Sequence, residues 1–361
     1  MSLLTIPAPI DPHVHLRDLD WAHKATFASE TAAALAGGYW AICDMPNTAP
    51  TTTTRAALDL KLARLHESAR CDYGVYFGAD QHGRLDSYSE AAPDTIGIKL
   101  YCNATTGTLL LADQESRAAH MRAWAAASRQ PIAVHAEGET VAQILALVRQ
   151  HRAHVHFCHI STADEIDLLR DARRDGLPIS IGVCPHHLTL TQDDLPVLGA
   201  YGLMKPELKT RADADALWSA VIDGTVDVIE SDHAPHTRAE KESDNPPYGV
   251  PGLETTLPLL CTAVNEGRIT PDRLIELVST NPARIFRLVP PPDTSTVIDL
   301  DSSYVIEDKH LLTAPGWSPF AGMRVSGKVI EVKIRGRIVY DGEQVIAAPG
   351  SGINVIDRLA Q

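Results

Sequence analysis

The sequence predicts a closed (β/α)8 TIM barrel with a small β-rich appendage at its C-terminal end. Three observations predict it: eight short apolar runs, often rich in Val and Ile, recur along the chain; amphipathic helix-like stretches separate them; and the alternation stops near Phe286. The runs centre on Ile10 to His15, Tyr39 to Asp44, Tyr73 to Phe77, Ile96 to Tyr101, Ile132 to His135, Val155 to His159, Ile179 to Cys184 and Val226 to Asp232. Helical periodicity fills the gaps over Lys24 to Leu35, Ala56 to Ala69, Gln114 to Ala127, Thr140 to Arg149, Ala163 to Arg173 and Ala212 to Ile222.

Two further helices fit Gly252 to Asn265 and Pro271 to Ser279, the second stopped by Asn281-Pro282 because a residue before proline avoids helical dihedrals. The barrel is therefore assigned to residues 1–287 and the appendage to 288–361. In the appendage, Val329 to Ile334 and Arg337 to Tyr340 flank Arg335-Gly336 and read as paired strands.

Length and charge narrow the function. A chain of 361 residues holds one barrel of about 250 residues plus an addition. Its net charge of −14 and the lack of a basic run argue against nucleic acid as a partner. No apolar stretch approaches the roughly 20 residues that span a bilayer, and Met1-Ser2-Leu3-Leu4 has no signal-peptide pattern, so the expectation is a cytoplasmic protein. Six cysteines are scattered without a C-x-x-C pair and read as reduced thiols; Cys102 and Cys158 stand out only for lying near candidate metal ligands.

Chemistry-bearing residues collect where barrel active sites are built, at the carboxyl ends of the strands. In Asp11-Pro12-His13-Val14-His15-Leu16-Arg17 two imidazoles two residues apart share one strand face, which suits one metal ion. Lys99, His135, His159 and Asp232 lie on or just beyond four other predicted strands. Four histidines and a carboxylate suffice for two divalent ions of the zinc type. Lys99 either points away from such ions, loses its proton or becomes an anion, for example by carbamylation with CO₂.

The order His13-x-His15, Lys99, His135, His159, Asp232 resembles the binuclear, carboxylysine-bridged branch of the amidohydrolase superfamily, and within it the dihydroorotases. The resembling segments include Met45-Pro46-Asn47-Thr48, Lys99-Leu100-Tyr101, His135-Ala136-Glu137-Gly138-Glu139-Thr140, Cys158-His159-Ile160, Pro185-His186-His187-Leu188, Ser231-Asp232-His233-Ala234-Pro235-His236-Thr237 and Pro251-Gly252-Leu253-Glu254-Thr255. The spacing around Asp232, His236 and the last of these is closer to the dihydroorotase domains of animal multifunctional pyrimidine enzymes than to the shorter bacterial type.

The resemblance implies a metal-dependent hydrolase that opens the ring of dihydroorotate, or closes N-carbamoyl-aspartate, by a metal-bridging hydroxide. It implies two Zn²⁺ per subunit: one held by His13, His15 and Asp232, one by His135 and His159, with N6-carboxylated Lys99 as the bridge. Asp232 is also the implied catalytic acid and base. Arg17, Asn47 and His236 are implied to bind the substrate carboxylate, with Thr105 and Thr106 on a lid loop. Lys205 stands where relatives present Arg or Asn to the substrate, and Gly182 where the animal domain has an acidic residue for an extra metal, so a third metal site is not expected. His233, His186 and His187 are assigned structural roles. A homodimer and a complex with aspartate transcarbamoylase are the implied assemblies. The alternatives are another cyclic amide hydrolase, of hydantoinase or allantoinase type, and a non-catalytic dihydroorotase-like partner of aspartate transcarbamoylase.

Overall fold

The computed structural model describes residues 2–358; Met1 and residues 359–361, the outer ends of the two predicted parts, lie outside it. Among the described residues twelve strands form two sheets: β1 Leu3–Pro7, β2 Ile10–Val14, β3 Ala41–Asp44, β4 Asp72–Gly78, β5 Gly97–Tyr101, β6 Ile132–His135, β7 Val155–Phe157, β8 Ile179–Val183, β9 Val228–Ile229, β10 Ser295–Val305, β11 Arg324–Ile334 and β12 Arg337–Tyr340.

Strands β2 to β9 pair in chain order, all parallel, and each coincides with one of the eight predicted runs, β4 extending one residue beyond its run at either end. Helices cover their outer faces, so β3 to β7 are buried at every position, which is why they read as continuous apolar runs rather than alternating ones. The last strand returns to the first through a bridge between Val14 and His233, where the His15 amide donates to the His233 carbonyl at 2.7 Å.

Helix starts follow local chemistry. Thr26 caps Phe27–Ala36 with Ser29, and Thr162 caps Ala163–Arg174 in a reciprocal pair with Glu165. The second Glu165 oxygen accepts from the Gly138 amide at 2.7 Å, tying the loop after β6 to the helix after β7.

Two expectations are corrected. Asn281-Pro282 does not end the helix begun at Pro271: a π-helical stretch, Glu276–Thr280, leads into a new helix, Asn281–Ile285. Proline sits in the first turn of that helix, where its missing N–H costs nothing. The second sheet also does not come from the chain after residue 287 alone, because its order is β1-β10-β11-β12 and β1 pairs antiparallel with β10. This short N-terminal strand alternates too briefly to stand out from the apolar run that follows it. The predicted hairpin is present, with Arg335 and Gly336 both at positive φ (54° and 72°), as a two-residue hairpin turn favours.

Barrel and second sheet share one apolar core, in which Ile6, Ile298, Val329 and Val332 pack with barrel and helix residues. A buried carboxylate, Glu30, makes a polar link in the same region. It accepts from His233 Nε2 at 2.8 Å, Thr313 Oγ1 at 2.6 Å and the Ala314 amide at 3.0 Å, joining the first helix, the segment after β9 and the C-terminal third. Burial alone would raise its pKa, but the hydrogen bond and charge of His233, with Thr313 and Ala314, bring it below the ordinary 4.5. A carboxyl whose pKa is depressed by folding stabilises above its unfolded value and loses that contribution as pH falls through the folded one. Glu30→Gln is thus expected to cost about 1–3 kcal/mol at pH 7 in urea unfolding. The gap to the unaltered chain is expected to narrow once pH drops below 4.5.

Candidate active site

The carboxyl ends of the barrel strands bring all six predicted ligands to one place. His13 lies in β2 and His15 one residue beyond it; Lys99 is in β5, His135 ends β6, and His159 and Asp232 follow β7 and β9. Asp232 Oδ1 is 3.2 Å from His13 Nε2 and 3.1 Å from His15 Nε2. His135 Nδ1 and His159 Nε2 face each other at 3.1 Å. The His13 and His159 ring centroids are 5.1 Å apart, so the two histidine pairs form one cluster.

Backbone conformation helps aim these groups inward. Arg17, His159 and Asp232 have φ of 65°, 35° and 46°, in the left-handed region that costs a non-glycine residue about 1–2 kcal/mol. Such strain persists where surrounding structure holds it, and here it collects at the strand ends.

Burial fixes the charge state. His15 is pulled down to about 4 by desolvation, against the attraction of Asp232. His135 and His159 are lowered too, by burial first and then by neighbouring cationic groups such as Lys99. Burial would raise Asp232, but His13 and His15 outweigh it and hold the carboxyl well below its usual range. Around neutral pH His15, His135 and His159 are therefore neutral imidazoles and Asp232 is an ionised carboxylate, the form in which these groups bind metals.

The donor set fits divalent ions of the zinc type. His13, His159 and Asp232 offer ligand atoms all within 4.8 Å of one another. Two histidines are oriented by neighbours: His15 Nδ1 lies 2.7 Å from Asn47 Oδ1, and His135 Nε2 lies 2.9 Å from Glu137 Oε1. With protons on those nitrogens, His15 Nε2 and His135 Nδ1 keep lone pairs facing the cluster. The Nδ1 of His159 is buried without a hydrogen-bond partner, and that of His13 meets only Glu230 Oε1, at 3.4 Å, too far or too poorly aligned for a full hydrogen bond. Lys99 is fully buried; its Nζ donates to Cys158 Sγ at 3.0 Å, and among the described residues it has no carboxylate partner. The Cys158 thiol is pushed up to about 12 by burial, and Cys102 likewise, so neither is a ready nucleophile.

One cavity joins this cluster to the predicted recognition residues, lined by His13, His15, His135, His159 and Asp232 and by Arg17, Asn47, Thr105, Thr106 and Lys205. Arg17 is buried, with Nε donating to the Pro235 carbonyl at 3.1 Å. His236 stands behind it. Its Nδ1 accepts from Lys24 Nζ at 3.0 Å, which puts the proton on Nε2, facing the Tyr248 carbonyl at 3.0 Å. Arg17 Nη2, 3.1 Å from that same nitrogen, then finds no lone pair there and keeps a donor for a ligand. Across the cavity Asn47 Nδ2 donates to the Thr106 carbonyl at 3.0 Å and Thr106 Oγ1 to the Tyr248 carbonyl at 3.2 Å, so this loop bridges two walls of the mouth. Lys205 Nζ is engaged by Glu207 at 2.6 Å and lies 4.8 Å from the Tyr248 ring centroid.

His233 links Glu30 to the Gly252 amide, and His187 donates to the Pro206 carbonyl at 3.0 Å, both outside the cavity. Sequence reasoning missed Glu137 and Glu230 as carboxylates beside the histidines and Tyr101 and Tyr248 as lining residues. Glu137 stands two residues after His135 and Glu230 two before Asp232, and that spacing was the available signal.

This parallel barrel, with histidines and a carboxylate converging at its mouth and a buried lysine beneath them, defines a barrel with a candidate metal centre. The chain belongs to the amidohydrolase family, whose model matches residues 4–291. It is 41% identical over 356 residues to "Multifunctional protein pyr1-3" of Dictyostelium discoideum, covering 98% of this chain and 16% of that protein. The chain thus spans about a sixth of that relative's length. It is 35% identical to the dihydroorotase of Pyrococcus furiosus, over 95% of this chain and 83% of that one. Among solved structures, an L-hydantoinase (dihydropyrimidinase) from Arthrobacter aurescens superposes with a TM-score of 0.93 at 25% identity, over 98% of this chain and 88% of the other.

Asn47 touches both a histidine of the cluster and the bridging loop. Asn47→Ala is expected to raise amide hydrogen exchange in residues 104–108 at least several-fold, while exchange in the barrel strands stays unchanged.

Proposed function

We propose that this chain is a dihydroorotase, which reversibly hydrolyses the cyclic amide of (S)-dihydroorotate to N-carbamoyl-L-aspartate in pyrimidine synthesis. One observation carries the choice of substrate: Arg17 is a buried guanidinium with no carboxylate partner among the described residues, and it faces the cavity beside the histidine cluster. A buried cation without a counter-ion is costly, and a ligand carboxylate supplies one through bidentate hydrogen bonds. Dihydroorotate carries a carboxylate beside its cyclic amide; hydantoin does not.

His13, His15 and Asp232 would hold one Zn²⁺ and His135 and His159 a second, and Lys99, as its N6-carboxylated anion, would supply a further carboxylate to them. When bound, they supply Lewis acidity that lowers the pKa of water and polarises an amide carbonyl. Carboxylation removes the positive charge of Lys99, which is fully buried beside Cys158. The Asp232 carboxylate, held ionised, takes the proton of the attacking water and delivers it to the ring nitrogen as the C–N bond breaks. Arg17 and Asn47 hold the carboxylate, with His236 behind Arg17 and outside the cavity lining; Thr105 and Thr106 cover the mouth; Lys205 borders it. A cytoplasmic homodimer, or a complex with aspartate transcarbamoylase, is the assembly we propose, and size-exclusion of the chain alone and mixed with that enzyme separates the two.

Dihydroorotate hydrolysis is expected to vanish on metal chelation and return with zinc. Arg17→Ala is expected to lower kcat/KM for dihydroorotate about 100-fold, with little change for hydantoin; equal losses on both would assign Arg17 a structural role. Ring closure consumes one proton as a carboxylate charge is lost. The equilibrium ratio of open to closed forms is thus expected to rise about tenfold per pH unit while both carboxylates are ionised, as chromatography of mixtures equilibrated between pH 6 and 8 would measure.

A further inference from the structure

Glu230, a fully buried carboxylate at the end of the last barrel strand, has no part in the scheme above. Its Oε1 accepts from the His159 backbone amide at 2.7 Å and lies 3.4 Å from His13 Nδ1, at the edge of hydrogen-bonding range. Its Oε2 meets His156 Nε2 at 3.1 Å, and His156 Nδ1 is held by Ser180 Oγ at 3.0 Å. The carboxylate thus touches one histidine from each of the two pairs in the cluster, and it fixes the backbone of a residue in a left-handed conformation.

The neighbouring strand makes room for it. A Cβ at Gly182 would lie 2.7 Å from both Cδ and Oε1 of Glu230 and 3.0 Å from His156 Nε2. No residue but glycine leaves that space open, so Gly182 and Glu230 are a matched pair: a bare backbone on β8 and a long acid reaching across from β9.

We infer that Glu230 is a positioning residue for the metal centre, setting the orientation of His13 and the backbone of His159 from a place that Gly182 keeps free. Nδ1–H of His13 directed at Glu230 leaves Nε2 as the ligating nitrogen, on the Asp232 side. Carboxylates that orient ligating histidines in this way are worth about 10–100-fold in metal affinity. The inference rests on the metal reading above and extends it to a residue that touches neither substrate nor reacting atoms.

Three variants of the full chain test it: Glu230→Gln, which keeps the volume; Glu230→Ala; and Glu230→Ala combined with Gly182→Asp, which returns a carboxylate from the opposite strand. Zinc affinity is measured by chelator competition, beside the unfolding midpoint of the metal-free chain and kcat and KM. The expected result is a loss of zinc affinity of about 10-fold in Glu230→Gln and up to about 100-fold in Glu230→Ala, with most of it regained in the double variant. KM is expected to stay within about threefold. Unchanged zinc affinity in Glu230→Gln overturns the inference. So does a loss that only follows a lowered metal-free midpoint and is not regained by the relocated acid, since that marks a packing role. If Glu230→Ala does not fold, Glu230→Gln alone decides. A chain that binds zinc but ignores dihydroorotate sinks the proposed substrate and leaves this comparison intact, whereas a chain that takes up no zinc overturns both.

Discussion

The contact of Asp232 with His13 and His15 is the one on which the rest depends, because it lies at the seam of the barrel. A closed barrel must join its last strand to its first, and here β9 is only two residues long and makes no ladder with β2. Closure rests on the Val14–His233 bridge, the His15 amide on the His233 carbonyl, and Asp232 meeting both histidines from the other side. The Ser231 amide adds a longer contact to Asp11, 3.3 Å from each carboxylate oxygen. The polar groups at the mouth therefore also close the fold. A stronger apolar ladder here would stabilise the barrel and leave no carboxylate at its rim.

Burial gives these groups their chemistry and also makes them costly. Desolvation keeps the imbalance of charge local: three histidines whose pKa values burial lowers, one carboxylate held ionised, a guanidinium without a carboxylate partner among the described residues, and a lysine beside a thiol. Each unpaired polar group in such a place costs free energy that a well-packed apolar residue would avoid. The matched groups stand nearby: Asp44 pairs with Lys61 at 2.7 Å in full burial, and Glu30 with His233. Asp44 also accepts from the Leu16 amide at 2.8 Å, between His15 and Arg17. Satisfied polar pairs thus surround the unsatisfied groups and hold the strand ends that carry them.

Much of this was legible in the sequence. A parallel strand buried on both faces has to be apolar along its length, so the eight runs were visible, and barrel geometry then placed His13, Lys99, His135, His159 and Asp232 on one rim. What was hidden depends on backbone or on distant partners. The left-handed φ of Arg17, His159 and Asp232 has no residue signature, since none of the three is glycine. Strand β1 shows its role only when β10, nearly 290 residues later, supplies the partner. The Asn281-Pro282 junction misled because proline ends one helix and starts another with the same dihedral angle. Glu230 was passed over because its meaning lies in a vacancy on the next strand, at Gly182.

A hydantoinase shares this fold closely, at a TM-score of 0.93, so on the function proposed here the backbone cannot be what selects a carboxylated ring over a neutral one. The difference has to lie in a few side chains at the mouth, where one buried cation changes which ligand is best satisfied. Arg17 is rigidly set for this, by Pro235 on one side and a histidine made neutral by burial, Arg17 itself and Lys24 on the other. A protonated His236 would compete for the same anion but would also repel Arg17 and Lys24; the neutral form leaves the guanidinium as the cation facing the cavity beside the histidines. Trp317 fixes the His236 backbone from the C-terminal third, its Nε1 donating to the His236 carbonyl at 2.7 Å. On that proposal, selectivity for charge reaches from the barrel rim into the segment packed against it, and the late part of the chain serves the site without lining it.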